Sequence, residues 1–339
     1  MKLLMTGNEA IARGVYEAGV KYASAYPGTP STEILENVAT YKDSILAEWA
    51  PNEKVALEAS TGGSIAGART LACMKHVGVN VAADPLFTFA YTGVNGGLVL
   101  VSADEPGMHS SQNEQDNRNY AKFAKIALFE PSTSQEAKDM LKEAYSVSEE
   151  FDTPVLYRVT TRLCHSKGIV NCSEREEVGV ADYVKDVQKR VTVPAHSRNL
   201  RVKVEERLNK LRAYSNATDL NYIELNSKDI GIIASGVCYN YAKEVFKDNV
   251  SYLKLGFTNP LPDVKIKKFA SKVKKIYVIE ENDRFIEDQV KAMGIDVIGK
   301  DIFPYTGEMT PDVIRKVMLG EEKKTIEYNE DLVVGRPPT

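Results

Sequence analysis

The chain has 339 residues, 43% of them hydrophobic, four cysteines and a net charge of -4, and that length exceeds what one ordinary core serves, so two or three domains are expected. Acidic and basic residues are interspersed without a basic face, which argues against nucleic acid as a partner. No apolar run approaches the ~20 residues of a membrane span and the first residues lack a signal-peptide core, so no membrane association and a cytoplasmic location are expected.

Residues 8–19 read as an amphipathic helix, with Ile11, Val15 and Ala18 at helical spacing. A strand over 20–26 follows, then the turn Pro27-Gly28-Thr29-Pro30 and a helix from Ser31, which is a candidate N-cap. A second unit reads as a strand near 55–58 and a glycine- and alanine-rich helix over 60–74. Residues 79–83 read as a strand end and 87–92 as a helix. The run 97–102 is apolar without alternation, the pattern of a strand buried in a parallel sheet. A strand at 126–130, a helix over 134–151 and a strand over 154–159 complete a doubly wound α/β domain. From 171 to about 222 glycine is scarce and charge is dense, and 204–213 reads as an amphipathic helix in an ordered connector. A second α/β unit follows, with strands at 230–234, 251–255, 275–280 and 295–298 and helices at 238–246, after 262, and 310–317. Its lysines 265, 267, 268, 272, 274 and 275 read as a solvated helix face. The tail from 321 to 339 reads as an extended linker. None of Cys73, Cys164, Cys172 and Cys238 forms a CxxC pair, so reduced core thiols are expected.

Three segments stand out chemically. The first, Tyr26 to Glu33, joins a strand end to a helix start, where backbone N–H groups point outward toward ligands; a tight turn with a capped helix explains it equally well. The second, Glu58 to Ala68, carries Gly62, Gly63 and Gly67. Its GGxxxG spacing is not the dinucleotide fingerprint GxGxxG, and tight helix packing explains the glycines at least as well as a ligand does. Glu58 near a helix start is also favoured by the macrodipole alone. The third, Ala103 to Arg118, is a long polar run after a buried strand, placing His109, Gln112, Asn113 and Arg118 at the carboxyl edge of the sheet or in a solvated loop.

Together, YPGTPSTE, LEASTGGSIAGART, VSADEPGMHSSQNEQDNRNYAKFAKIALFEPST and TPVLYRVTTRLCHS resemble the large subunits of indolepyruvate:ferredoxin oxidoreductases, a thiamin-diphosphate-dependent 2-oxoacid:ferredoxin oxidoreductase family. The resemblance is strong over 1–175 and continues through about 225–320. It implies two doubly wound parallel-sheet domains: a pyrimidine-binding domain at 1–175 and a transketolase C-terminal-like domain at 223–322. Between them lies a helical connector at 176–222, and a linker tail follows at 323–339. It also implies a catalytic glutamate at Glu58, at the end of a strand, which hydrogen-bonds the aminopyrimidine of thiamin diphosphate and promotes proton removal from the thiazolium carbon. Pro27, Gly28, Thr29 and Gly62 are the implied cofactor contacts. Thr29, with His109 or Arg118, is the expected substrate contact, because the arginine that follows the matching strand in pyruvate enzymes is replaced here by Ala103-Asp104-Glu105.

The resemblance places Mg²⁺, the diphosphate cradle and [4Fe–4S] clusters in a further half or a separate chain, and predicts no metal ligands here. A homodimer, a beta subunit, ferredoxin and CoA are the implied partners. The implied reaction is oxidative decarboxylation of an aryl 2-oxoacid to acyl-CoA, CO₂ and reduced ferredoxin, with a chain inactive alone. A thiamin-dependent oxoacid decarboxylase component and a non-catalytic binding module are the competing readings.

Overall fold

A computed structural model describes residues 1–322; the linker expected at 323–339 lies outside the described residues. The chain opens with strand β1 (Lys2–Thr6) and helix α1 (Gly7–Glu17). Thr6 and Glu9 form a reciprocal capping box that starts this helix. Strand β2 (Tyr22–Ala25), helix α2 (Thr32–Val38) and strand β3 (Leu46–Trp49) follow. Ser31 does not cap α2; its hydroxyl donates to the Gly28 carbonyl at 2.8 Å, and the Thr32 hydroxyl accepts from the Gly28 N–H at 2.8 Å.

The next stretch corrects the sequence expectation. Residues 55–58 are not a strand, because Asn52 accepts from the Val55 N–H and starts helix α3 (Glu53–Ile65). The expected helix over 60–74 ends early. Gly67 takes a φ of +101°, and a side chain there would stand 2.0 Å from the Ala181 carbonyl oxygen. Strand β4 (Thr70–Lys75) then begins, and 79–83 belongs to helices α4 (His76–Val81) and α5 (Ala83–Thr92).

Strand β5 (Leu98–Asp104) is buried at every residue, as its unbroken apolar run requires. Helix α6 (Arg118–Ala124), strand β6 (Ala127–Phe129), helix α7 (Ser134–Glu150), strand β7 (Val155–Thr160), helix α8 (Thr161–His165) and strand β8 (Lys167–Asn171) complete the first domain. The connector carries no helix or strand from 172 to 186, ahead of helices α9 (Val187–Arg190) and α10 (Pro194–Ala217). The second domain contains strand β9 (Asn221–Glu224), strand β10 (Ile230–Ser235), helix α11 (Gly236–Phe246), strand β11 (Ser251–Leu255), strand β12 (Phe257–Asn259), helix α12 (Asp263–Ala270), strand β13 (Lys275–Ile279), helix α13 (Phe285–Ala292) and helix α14 (Pro311–Leu319). The strand expected at 295–298 is reduced to one bridge, Ile298 to Tyr277.

Both domains are α/β with parallel sheets covered on both faces. The first sheet has the order β12-β6-β7-β5-β4-β2-β3 and the second β13-β10-β11-β9, while β1 and β8 pair separately. Among the described residues antiparallel pairing is confined to β9, β12 and the β1–β8 ribbon. Alternate residues of β5 feed two cores: Val99, Val101 and Ala103 pack with α1 and α7, whereas Leu98 and Leu100 join Leu57, Leu86 and Phe89. That second core continues without a break into Ile233, Leu253, Leu255 and Phe269. The two domains therefore share apolar core as well as a sheet edge, since β12 of the second pairs with β6 of the first. A third core, under α11 and α14, belongs to the second domain alone. Among the described residues no helix is long and apolar enough to cross a membrane.

Candidate functional site

Strands β2, β5 and β7 all end at the same sheet edge, and the loops leaving them build an open cleft of about 480 Å³. It is lined by Thr29 after β2, Glu105, His109 and Ser110 after β5, Arg162 and His165 after β7, and Glu308 from the second domain. Ligands are expected at this place in an α/β sheet because strand ends leave outward-pointing backbone groups there. Of the residues singled out in the sequence, Thr29 and His109 are thus brought together. Tyr26 and Pro27 are exposed beside them, and Gly28 lies against the Lys75 side chain.

The cleft is held from both sides. Glu105 is buried and accepts from the hydroxyls of Ser110 and Ser111, which folds the polar loop back on its own start. Arg162 reaches Glu308 through two parallel bonds, Nε to Oε1 at 2.8 Å and Nη2 to Oε2 at 2.6 Å, and this bonding raises the guanidinium's proton affinity. His109 Nε2 stands 3.5 Å from the same glutamate. Glu114 accepts from the N–H of Gly107 and, at 2.9 Å, from that of Gly307, tying the two facing loops together.

Arg118 is not in this cleft. It is 1% exposed and bonded to Asp116, to Glu280 at 2.9 Å and to the Glu281 carbonyl at 2.9 Å. A second arginine, Arg158 on β7, binds Asp104 at 2.7 Å and Glu130 at 2.8 Å in the same buried cluster. Burial pushes the carboxyls of Glu280 and Glu281 up to about 7, partly offset by the nearby arginines. Around Asp116 the Arg118 guanidinium outweighs burial and holds the carboxyl below its usual range. The stretch 280–283 therefore joins the two domains.

Glu58 is also away from the cleft lining, and it does not end a strand. It sits mid-way along α3, exposed, with its carboxylate 3.8 Å from Lys54. Gly62, one turn on and on the same face, is exposed with open space where a side chain would be. Gly63, by contrast, packs: a side chain there would meet Thr70 at 2.8 Å. The glycine pair thus divides into one that faces outward and one that lets α3 approach the sheet. Leu46 and Trp49 on β3 and Val55 on α3 are also exposed.

Residues 13–214 match the family described as "Pyruvate flavodoxin/ferredoxin oxidoreductase, thiamine diP-bdg". The chain belongs to this oxidoreductase family. An indolepyruvate oxidoreductase subunit IorA of Archaeoglobus fulgidus is 46% identical over 311 residues, covering 88% of this chain and 50% of that protein. The subunit of the same name in Methanothermobacter marburgensis is 40% identical over 359 residues, covering 99% of this chain and 58% of that protein. The chain spans about half the length of the curated relatives it matches. The same architecture occurs in a 2-oxoglutarate:ferredoxin oxidoreductase from Magnetococcus marinus, with a TM-score of 0.75 at 18% identity over 92% of this chain and 64% of that one. It recurs in a split-gene transketolase with a TM-score of 0.61 at 14% identity, over 92% of this chain and 93% of the other. These two likenesses concern the fold alone.

Sequence reading missed Arg162, His165, Glu105 and Glu308 as cleft residues. The signal for Arg162 and His165 was present, since Thr160 ends a buried strand and the polar Thr161-Arg162 follows it, as Glu105 follows β5. Glu308 carried no local signal; it arrives from a loop 146 residues away from Arg162.

Proposed function

We propose that this chain is the part of a 2-oxoacid:ferredoxin oxidoreductase that supplies the thiamin-activating glutamate and the oxoacid-binding cleft. The preferred substrate is an aryl 2-oxoacid such as indolepyruvate, and the products are acyl-CoA, CO₂ and reduced ferredoxin. The observation that carries the reading is the outward face of α3. There Glu58 presents a carboxylate paired, among the described residues, with Lys54 3.8 Å away, and bare Gly62 lies one turn beyond. That geometry fits a flat aminopyrimidine: the glycine leaves room for the ring, and Glu58 holds a proton at a ring nitrogen. Pro27, Gly28 and Thr29, at the end of β2, are the proposed further contacts. When bound, thiamin diphosphate supplies a carbon nucleophile toward the oxoacid carbonyl. The residues of this chain orient it, hold a proton at the pyrimidine and position the oxoacid, with Thr29 and His109 on the cleft wall. Arg118 has no free donor surface for this task, because its guanidinium is enclosed by Asp116, Glu280 and backbone carbonyls.

Among the described residues no group of three or more His, Cys, Asp or Glu converges as a metal site, and the cysteines are separate, with Cys73, Cys164 and Cys238 buried. We assign Mg²⁺, the diphosphate contacts and the iron–sulfur clusters to polypeptide outside the described residues. The domain limits we adopt are 1–175 for the pyrimidine-binding unit, 176–222 for the connector and 223–322 for the second α/β unit. We assign completion of the site to a second copy or the diphosphate-binding half, docking where Glu58 and the edge strand β3 are exposed.

The test is calorimetric titration of thiamin diphosphate with Mg²⁺ into the chain alone and into the chain mixed with the diphosphate-binding half. Binding only in the mixture, with Glu58→Gln reducing turnover by about 10²–10⁴-fold at unchanged thermal stability, is the expected result. Tight binding to the chain alone would show that the half-site assignment is wrong.

A further inference from the structure

Resting on the reading of the cleft as the oxoacid site, we infer that Arg162 receives the substrate carboxylate and that Glu308 is its internal stand-in, occupying the guanidinium until substrate displaces it.

A 2-oxoacid brings a planar carboxylate, and the arginine fork matches it with two parallel donors. Arg162 is the one arginine among the described residues that line the cleft; His109 and His165 line it too, as imidazoles without the planar fork of a guanidinium. Its location is set by the sheet. Asp104 and Thr160 are register partners on β5 and β7, so Glu105 and Thr161 leave the sheet side by side and Arg162 stands one residue further on. Cleft wall and guanidinium are therefore fixed by the same strand pair.

The existing partner already shows the geometry that a substrate would adopt. Glu308 accepts from Nε and Nη2 through its two oxygens, at 2.8 and 2.6 Å, as a bidentate carboxylate does. The two side chains differ in exposure: 55% for Arg162 and 11% for Glu308. The glutamate approaches from the protein side while the guanidinium faces the open cleft, so a substrate carboxylate reaches it from solvent. Displaced Glu308 keeps a partner, because His109 Nε2 is 3.5 Å away. The backbone around it stays anchored, with the Gly307 N–H on Glu114 and the Met309 N–H on Glu281 at 3.2 Å. Exchange of one carboxylate for another therefore asks only for a side-chain movement. It also makes the second domain a direct competitor at the substrate site, and a substrate without a carboxylate gains nothing from displacing Glu308.

The experiment is steady-state ferredoxin reduction by the assembled enzyme, this chain together with its partner chains, with indolepyruvate as substrate. Arg162→Ala is expected to raise KM about tenfold or more, as loss of a charged bidentate contact implies, with a smaller change in kcat; Arg162→Lys recovers part of it. Glu308→Gln is expected to lower KM several-fold, because an amide competes poorly for the guanidinium. Thiamin diphosphate affinity, read by calorimetry, stays unchanged in all three. An unchanged KM in Arg162→Ala, in an enzyme that does turn over the oxoacid, overturns this inference and leaves the proposed function standing. So does a Glu308→Gln variant whose KM rises like that of Arg162→Ala, since Glu308 would then position the arginine and not compete for it. If the wild-type assembly turns over no 2-oxoacid, the functional reading itself fails and this inference falls with it.

Discussion

Arg118 and Arg162 both lie beyond the carboxyl ends of neighbouring strands, and both meet a glutamate of the second domain. Arg118 is 1% exposed and reaches Glu280 and Asp116 inside a sealed cluster. Arg162 is half exposed and holds a single carboxylate at the edge of open space. In the first case each guanidinium nitrogen is bonded to buried protein acceptors, so the arginine joins domains. In the second, one side of the guanidinium is left to solvent, so the arginine is available to a ligand. Residue type and strand-end location are shared; enclosure decides the role.

That difference is tested first by the sealed site. Arg118→Ala would leave Asp116 and Glu280 buried without their cation. The expected loss is about 3–5 kcal/mol of stability, the cost of breaking a buried pair from one side, measured by urea unfolding. Combining it with Glu280→Gln should restore part of the loss, because the stranded charge is removed. A loss below about 1 kcal/mol, the range of surface pairs, would erase the contrast between the two arginines.

The sealed cluster should also titrate. It buries Asp104, Asp116, Glu130, Glu280 and Glu281 against Arg118, Arg158 and Lys300, so carboxylates outnumber cations. Glu280 and Glu281 respond with carboxyls pushed up to about 7 from 4.5, burial being the main cause. A raised carboxyl means that the folded protein holds a proton which the unfolded chain releases between these values. Stability from these groups is therefore full below about pH 4.5, falls as pH rises toward 7 and levels off above it. Asp116, held low, acts in the opposite sense and only at more acid pH. The unfolding free energy from urea titrations should decline from pH 5 to 8 by an amount of order 1–3 kcal/mol, and the Glu280→Gln, Glu281→Gln double variant should flatten the curve. A wild-type curve already flat across this range would mean that both carboxylates are ionised in the fold.

How much of this was legible in the sequence varies with the origin of the information. Strand β5 declared itself through an unbroken apolar run, and the helix expected over 134–151 is α7, which the structure shows to be capped by Thr133. In the second α/β unit β10, β11, β13, α11, α12 and α14 were readable, whereas β9, β12 and α13 were not, and the strand expected at 295–298 is a single bridge. The 53–75 segment was not, because glycines at 62 and 63 blur helical periodicity and the apolar β4 continues it without a polar break. The Asn52 cap and Gly67 stop were the available cues. Pairings such as β12 with β6 and β1 with β8 join residues over 100 apart and leave no local trace. The same reason separates Thr29 and His109, found from their loops, from Glu308, whose place depends on how the domains dock. Arg118 looked like a site residue because its loop is polar; its burial depends on Glu280, contributed by the second domain.

The smallest expected effect belongs to the open site and completes the contrast. Arg162→Ala removes a bidentate pair, but the guanidinium is already half in water and Glu308 retains His109 at 3.5 Å. Solvent screening limits such a pair to about 0.2–1 kcal/mol. The urea midpoint of this variant should therefore shift little, and Glu308→Gln should shift it no more. The measurement is the same unfolding series used for Arg118, so the two arginines are compared under one condition. A stability loss for Arg162→Ala near that of Arg118→Ala would place the Arg162–Glu308 pair among the structural ties between the domains. A small loss alongside a raised KM would instead mark a residue whose strongest partner is the substrate and not the fold.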